Sequence, residues 1–227
     1  MKDYLEVTYK DKPYTNYPFY LAHYLMQRFK MKSRQKILDV GCGRGEYLKG
    51  FSTLGLSGYG IDKSINIAKG QLSMNSFFPL AKELKYADLD FCGLLPWKEQ
   101  IFDWVFTKSV IEHLYRPDCL LEECYRVLKE GGGIIVMTPD FKKGGLSFWG
   151  DYTHRTPFVK SSLYEALEIA GFEDIKVERF LQVPLLWKKP WLKSFLQLIA
   201  YIMPWIKNTT IKFSTAYMLL GTGRKII

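Results

Sequence analysis

The sequence is poor in cysteine, with four residues in 227 (Cys42, Cys92, Cys119 and Cys124) and no C-x-x-C pair. That is too few for a disulfide scaffold, and the spacing offers no structural zinc site. The opening stretch, MKDYLEVTYKDKPY, lacks the apolar run of a signal peptide. The greasiest segment, 195–206, is twelve residues with Pro204 inside it, too short to span a bilayer. No internal repeat or low-complexity tract is present. These absences predict a cytoplasmic chain whose thiols stay reduced. What the sequence has is 48% apolar and 16% aromatic residues, enough for a substantial core and one domain over 1–227.

Charge is unevenly spread. Residues 1–36 hold eight basic and three acidic groups, 37–180 seventeen and twenty, and 181–227 seven basic and no acidic groups. The formal charge of +9 therefore resides in the two ends, which predicts anionic company there rather than a globally nucleic-acid-binding surface.

From residue 37 onward, short β-branched runs alternate with segments of helical period, the signature of a parallel α/β sheet. Strands are expected at 36–40, 58–62, 84–88, 102–107, 134–137, 175–179 and 216–220. Helices are expected at 17–30, 46–54, 65–74, 119–128 and 161–170. Residues 1–36 form an N-terminal cap, 37–180 the core, 181–213 a basic apolar insertion and 214–227 the last strand.

The first strand and its turn carry the most chemistry. Asp39-Val40-Gly41-Cys42-Gly43-Arg44-Gly45 sets three alternate glycines where backbone must turn tightly and approach a ligand. Asp62 ends the next strand, 23 residues on, where a carboxylate accepts ribose hydroxyls. Asp88 ends the third, placed for an adenine amino group, with the Leu89 backbone beside the ring. The third glycine of a dinucleotide fingerprint would fall at position 46, and Glu46 stands there, repelling a pyrophosphate. The loop also lacks G-K-[ST]. A cationic, phosphate-free nucleoside fits better: S-adenosylmethionine, its amino group near Asp39.

ILDVGCGRGEYL, GYGIDKS, YADLDF, FDWVFTKSVIEHL and RVLKEGGGIIVMTP, in that order over 36–180, resemble the class I S-adenosylmethionine-dependent methyltransferase family. The resemblance implies a Rossmann-like seven-stranded α/β sheet with helices on both faces and a reversed last strand. It implies that Gly41, Gly43 and Gly45 lie under the methionine portion, with Cys42 a small filler in the turn. It gives Asp62 the ribose, with Lys63 following, and Asp88 and Leu89 the adenine. Lys108 and Ser109 would line the pocket.

For the acceptor, Glu112 and His113 follow the fourth strand and suit orienting a hydroxyl or holding a metal, or else capping and packing against Arg116. No metal is assigned. His154, in Asp151-Tyr152-Thr153-His154-Arg155-Thr156-Pro157-Phe158, is the expected base, because O-methylation requires removal of a hydroxyl proton. That segment resembles the D-x-T-H-x-x-P-F element of small O- and sugar methyltransferases; a rigid turn is the alternative. Arg155 suits an anionic group on the acceptor, and Tyr152 stands beside it. Tyr14 and Tyr17 are expected to cover the cofactor, Tyr17 joining Tyr152 and Arg155 in binding the substrate, and His23 to serve packing. The absence of [ND]-P-P-[YFW] after the fourth strand, and of a Pro-Cys pair, disfavours nucleobase methylation.

Residues 184–212 interleave Trp187, Trp191 and Trp205 with Lys188, Lys189, Lys193 and Lys207, suiting a membrane surface, a lid or a dimer face. The expected function is methylation of a hydroxyl on a sugar, glycan precursor or related small or lipid-linked acceptor. Quinone or lipid methylation, RNA methylation and a non-catalytic cofactor-binding scaffold are the alternatives.

Overall fold

The computed structural model describes residues 13–63, 81–90, 92–202 and 216–226. Seven strands form one sheet in the order β3-β2-β1-β4-β5-β7-β6. They are β1 (Lys36–Val40), β2 (Ser57–Asp62), β3 (Ala81–Tyr86), β4 (Phe102–Lys108), β5 (Leu128–Pro139), β6 (Glu173–Leu181) and β7 (Tyr217–Arg224). The first five are mutually parallel, while β7 runs antiparallel to both β5 and β6. This is the methyltransferase-type Rossmann-like sheet with its reversed last strand. Among the described residues, beside a single helical turn at Phe141–Gly144, the helices are α1 (Tyr17–Arg28), α2 (Glu46–Thr53), α3 (Pro117–Val127), α4 (Lys160–Ile169), α5 (Pro184–Lys188) and α6 (Leu192–Ile202).

Two-residue periodicity splits the strands between two cores. On β4 and β5, Val105, Ile134 and Val136 pack with Leu120, Leu121, Leu163 and Leu167. Their alternates Trp104, Phe106, Ile135 and Met137 face Leu21, Leu25 and Phe51. Each core thus buries one helical layer, and the sheet is covered on both faces.

Strand order reverses between β1 and β4, so their carboxyl ends diverge and open a crevice. Local chemistry builds its walls. Gly41, Gly43 and Gly45 all take positive φ (74°, 50° and 75°), and Gly45 starts α2. At Gly41 the requirement is double, because a Cβ would also stand 2.2 Å from Val110 Cγ2.

Several expectations shift. The third strand ends at Tyr86, two residues before Asp88, and the sixth and seventh are longer than their apolar runs. The helix expected at 65–74 and the end of the insertion, 203–213, lie outside the described residues. Cys92 and Cys119, expected as thiols, are joined in a disulfide, because the chain after β3 folds back onto the first turn of α3 and brings their Cα atoms to 5.0 Å. Cys42 and Cys124 are free and buried. Among the described residues no helix is long and apolar enough to cross a membrane.

Candidate active site

A cavity of about 610 Å³ opens in the crevice. Asp39, Gly41, Cys42, Gly43, Asp62, Lys63, Asp88, Leu89, Lys108 and Ser109 line it, as do Glu112, His113, Tyr152, His154 and Arg155. Two expected residues stand apart. Gly45 shapes the start of α2 without lining the cavity. Tyr17 does not reach it either: its ring packs between Tyr47 and Trp187, and its hydroxyl donates to Gln182 Oε1 at 3.1 Å. Tyr14 lies against Arg44, whose guanidinium is 4.2 Å from the ring centroid. His23 is exposed and stacks on Phe19 rather than packing into a core.

One wall is acidic. Asp39 and Asp62 are both buried, and Asp62 Oδ2 accepts the Gly43 N–H at 2.8 Å, which ties the glycine turn to the end of β2. Asp39 Oδ2 is buried without a partner. Burial, and next the neighbouring Asp62, hold the Asp39 carboxyl well above the usual carboxylate range; Leu48 N–H and Lys108 oppose them. Two carboxyls crowded in this way favour a cation beside them. The Cys42 thiol is pushed up by burial and by the same two acids, so it is an inert filler. Glu46 lines the cavity at the N-terminus of α2, paired with Arg44 at 2.9 Å. Ser109, just after β4, holds a left-handed φ of 57°, an uncommon conformation for a side-chain-bearing residue and one that concentrates at functional sites.

The other wall holds Glu112, His113 and His154. Glu112 is fully buried on a 3-10 turn, Ile111–His113. Its Oε2 accepts from Thr138 Oγ1 at 3.0 Å, and Oε1 has no partner. Burial pushes its carboxyl up to about 7. Its backbone carbonyl accepts the N–H groups of Arg155 and Thr156, stapling the 151–158 segment to the turn. Arg116 plays no part with Glu112; it pairs with Asp118 at 2.6 Å.

Both histidines have fixed tautomers. The Phe148 carbonyl can only accept, so His154 Nδ1, 2.6 Å away, carries a proton, and in the neutral ring the lone pair is on Nε2. Thr153 Oγ1 donates to Asp151 Oδ1 at 2.6 Å and therefore accepts from His113 Nδ1 at 2.9 Å, which frees His113 Nε2 in the same way. The rings lie 4.8 Å apart between centroids, and Asp151 Oδ2 stands 4.0 Å from His154 Nε2. Burial, and then His154, lower the His113 pKa and keep that ring neutral. Glu112, His113 and His154 each offer a ligand atom within 4.8 Å of the others, a spacing able to hold a metal ion, the role raised from the sequence for Glu112 and His113 and here joined by His154.

Arg155 is braced at the rim, with Nε donating to Tyr115 Oη and Nη1 to the carbonyls of Tyr152 and His154. Sequence reasoning missed Thr138, which holds Glu112, because nothing local marks a strand threonine as a partner for a turn 26 residues earlier. It also passed over Thr153 as an orienting group, although D-x-T is an Asx-turn pattern that could have shown it.

Comparison with known proteins points to the methyltransferase class. Residues 38–136 match the family model described as a methyltransferase domain. The chain is 36% identical over 110 residues to the mitochondrial ubiquinone biosynthesis O-methyltransferase of Rattus norvegicus, covering 48% of this chain and 32% of that protein. It thus spans about a third of the length of the curated relatives first matched. Among solved structures, a SAM dependent methyltransferase from Archaeoglobus fulgidus superposes with a TM-score of 0.64 at 22% identity, covering 98% of this chain and 100% of that one. Phosphoethanolamine N-methyltransferase 2 of Haemonchus contortus, solved with phosphomonomethylethanolamine and S-adenosylhomocysteine, gives 0.59 at 19% identity, over 91% and 52%.

Proposed function

We propose that this chain is an S-adenosylmethionine-dependent methyltransferase acting on a hydroxyl of a small or lipid-linked acceptor. One observation carries the reading: the cavity that holds the buried Asp39–Asp62 wall also holds His154, whose Nδ1 is committed to the Phe148 carbonyl so that Nε2 is the lone-pair nitrogen of the neutral ring. The residues present fit the cofactor. The orphaned Asp39 Oδ2 awaits a donor such as an ammonium group, and the crowded acids oppose a phosphate. In this reading Asp62 takes the ribose hydroxyls and Asp88 and Leu89 the adenine. Gly41, Cys42 and Gly43 form the floor, and Lys63, Lys108 and Ser109 complete the walls.

When bound, S-adenosylmethionine supplies a methyl group made electrophilic by its sulfonium. The chain positions the acceptor and removes its proton. Glu112 and His113 orient the hydroxyl, and His154 Nε2 takes the proton as the oxygen attacks. The nearby Asp151 carboxylate, held low chiefly by Thr153 against the opposing effect of burial, favours the resulting imidazolium. Arg155 and Tyr152 at the rim suit an anionic or hydroxylated part of the acceptor. The D-x-T-H-x-x-P-F resemblance supports a sugar or glycan precursor. A phenolic, quinone-type acceptor is the second reading, favoured by the likeness to the rat ubiquinone O-methyltransferase.

The test is methyl-labelled S-adenosylmethionine incubated with the protein and a fractionated cell extract. Label in an organic or aqueous small-molecule fraction is the expected result, and label in no fraction overturns the reading. His154→Ala is expected to slow transfer by roughly 10²–10⁴-fold while S-adenosylhomocysteine still binds. Turnover at the normal rate returns His154 to a structural role.

A further inference from the structure

Helix α6 is apolar on two sides. Its inner side sets Leu192 and Leu196 against Leu181, Val183, Leu186 and Tyr217, and Gln197 Nε2 donates to Tyr217 Oη at 2.7 Å. On its outer side Phe195, Leu198 and Ile202 follow one another at spacings of three and four, with Trp191 just before the helix and Tyr201 beside them. They are exposed by 58%, 55%, 57%, 74% and 85% respectively, and no residue of α6 is buried. A helix apolar all round is normally covered on every side, and a contiguous stripe of this kind marks a contact surface.

Charge selects the partner. Lys188 and Lys189 are exposed just before Trp191 in the chain, Lys193 lies over the Tyr217 ring, and residues 181–227 contain no acidic residue. A second copy docked stripe to stripe would bring two sets of lysines together with no acid from this segment to offset them. An anionic bilayer supplies both needs, acyl chains for the stripe and headgroup phosphates for the lysines. Eleven residues make a helix about 16 Å long, which lies in an interface and does not cross it. Trp191 and Tyr201 are side chains that favour that depth.

The place of α6 in the fold gives the contact a purpose. It follows β6, whose Leu181 pairs with Tyr217 at the start of β7, and the next residue of β7, Met218, pairs with Pro139 on the cavity wall. The stripe therefore leaves the sheet at the same edge as the cavity.

We infer that α6 docks this edge onto an anionic membrane surface, stripe inward, so that an acceptor carried on a lipid reaches the cavity from the bilayer. Docking stands on the stripe and the lysines; the lipid-borne acceptor rests on the methyltransferase reading.

Flotation of the full chain with phosphatidylcholine vesicles, with and without phosphatidylglycerol, tests it. Binding is expected only with phosphatidylglycerol and is expected to weaken as salt rises. Lys188→Gln and Lys189→Gln should each weaken it roughly fivefold. Phe195→Ser combined with Leu198→Ser should abolish it while circular dichroism and S-adenosylhomocysteine affinity stay unchanged. Three results would overturn docking: no flotation with either vesicle, a double variant that floats like the wild type, or a concentration-dependent dimer that the double variant dissolves. Vesicle binding by a chain that does not bind S-adenosylhomocysteine supports docking and overturns the methyltransferase reading alone.

Discussion

Replacing Glu112 by glutamine should make the protein more stable at pH 8 than at pH 5 when each is measured against the wild type. Glu112 is fully buried, with one oxygen on Thr138 and the other unpartnered, and burial raises its pKa from 4.5 to about 7. Between those values the folded chain holds a proton that the unfolded chain has released, so stability falls as pH rises. At about 1.36 kcal/mol per pH unit, the loss across this window is roughly 3 kcal/mol. It is absent below pH 4.5 and complete above pH 7. Glutamine keeps the shape and the oxygen that Thr138 needs but cannot ionise. His113 runs the other way, because its lowered pKa makes stability rise with pH, but it is present in both chains and drops out of the difference. Urea denaturation of cofactor-free protein at pH 5, 6, 7 and 8 reads the effect directly. The stability difference, variant minus wild type, should grow by roughly 2.5 kcal/mol over that series, part of the window lying below pH 5. A flat difference would mean that Glu112 ionises as an exposed glutamate does, and the account of this wall would fail.

Asp62→Ala should weaken S-adenosylhomocysteine binding by about 1–3 kcal/mol in a calorimetric titration, and an unchanged isotherm removes Asp62 from the cofactor site. Gly41→Ala should cost at least about 1–2 kcal/mol of stability for its left-handed φ, plus the clash with Val110. Adding Val110→Ala should relieve the clash but not the backbone cost, so full recovery would contradict the left-handed φ of Gly41. Arg179→Ala should destabilise by about 3 kcal/mol at neutral pH, because its Nε lies 2.6 Å from the fully buried Asp140 carboxylate; a loss below about 1 kcal/mol would show that Asp140 finds another partner.

Much of this was legible in the sequence where the cause is local. The apolar runs of β1 and β4 place those strands to within a residue because two cores draw on alternate side chains, whereas β5 begins at Leu128, six residues before its apolar run. The glycine turn and the acids at 39, 62 and 88 share one cavity because each stands at or just beyond a strand end on the same edge. What was not legible depends on meetings across long separations. Tyr17 looked like a cofactor cover by its position in the cap, yet Gln182 and Trp187, both far along the chain, claim it. The tautomers of His113 and His154 depend on Thr153 and Phe148, which only folding brings alongside. The Cys92–Cys119 bond follows from where a loop returns, which composition does not encode.

The position of β7 has a consequence for synthesis. It follows β6 in the chain, yet it sits between β5 and β6 and is the neighbour of β6 in the sheet among the described residues. A ribosome that has finished β6 has produced a strand with nothing to pair with, while β5 still shows an open edge. For the interval needed to translate 182–224, the nascent chain carries two unsatisfied strand edges, the state in which partly made α/β proteins recruit chaperones or aggregate. A chain stalled before residue 217 would hold the acidic wall of the cavity from β1 to β4 and still lack the piece that closes the sheet.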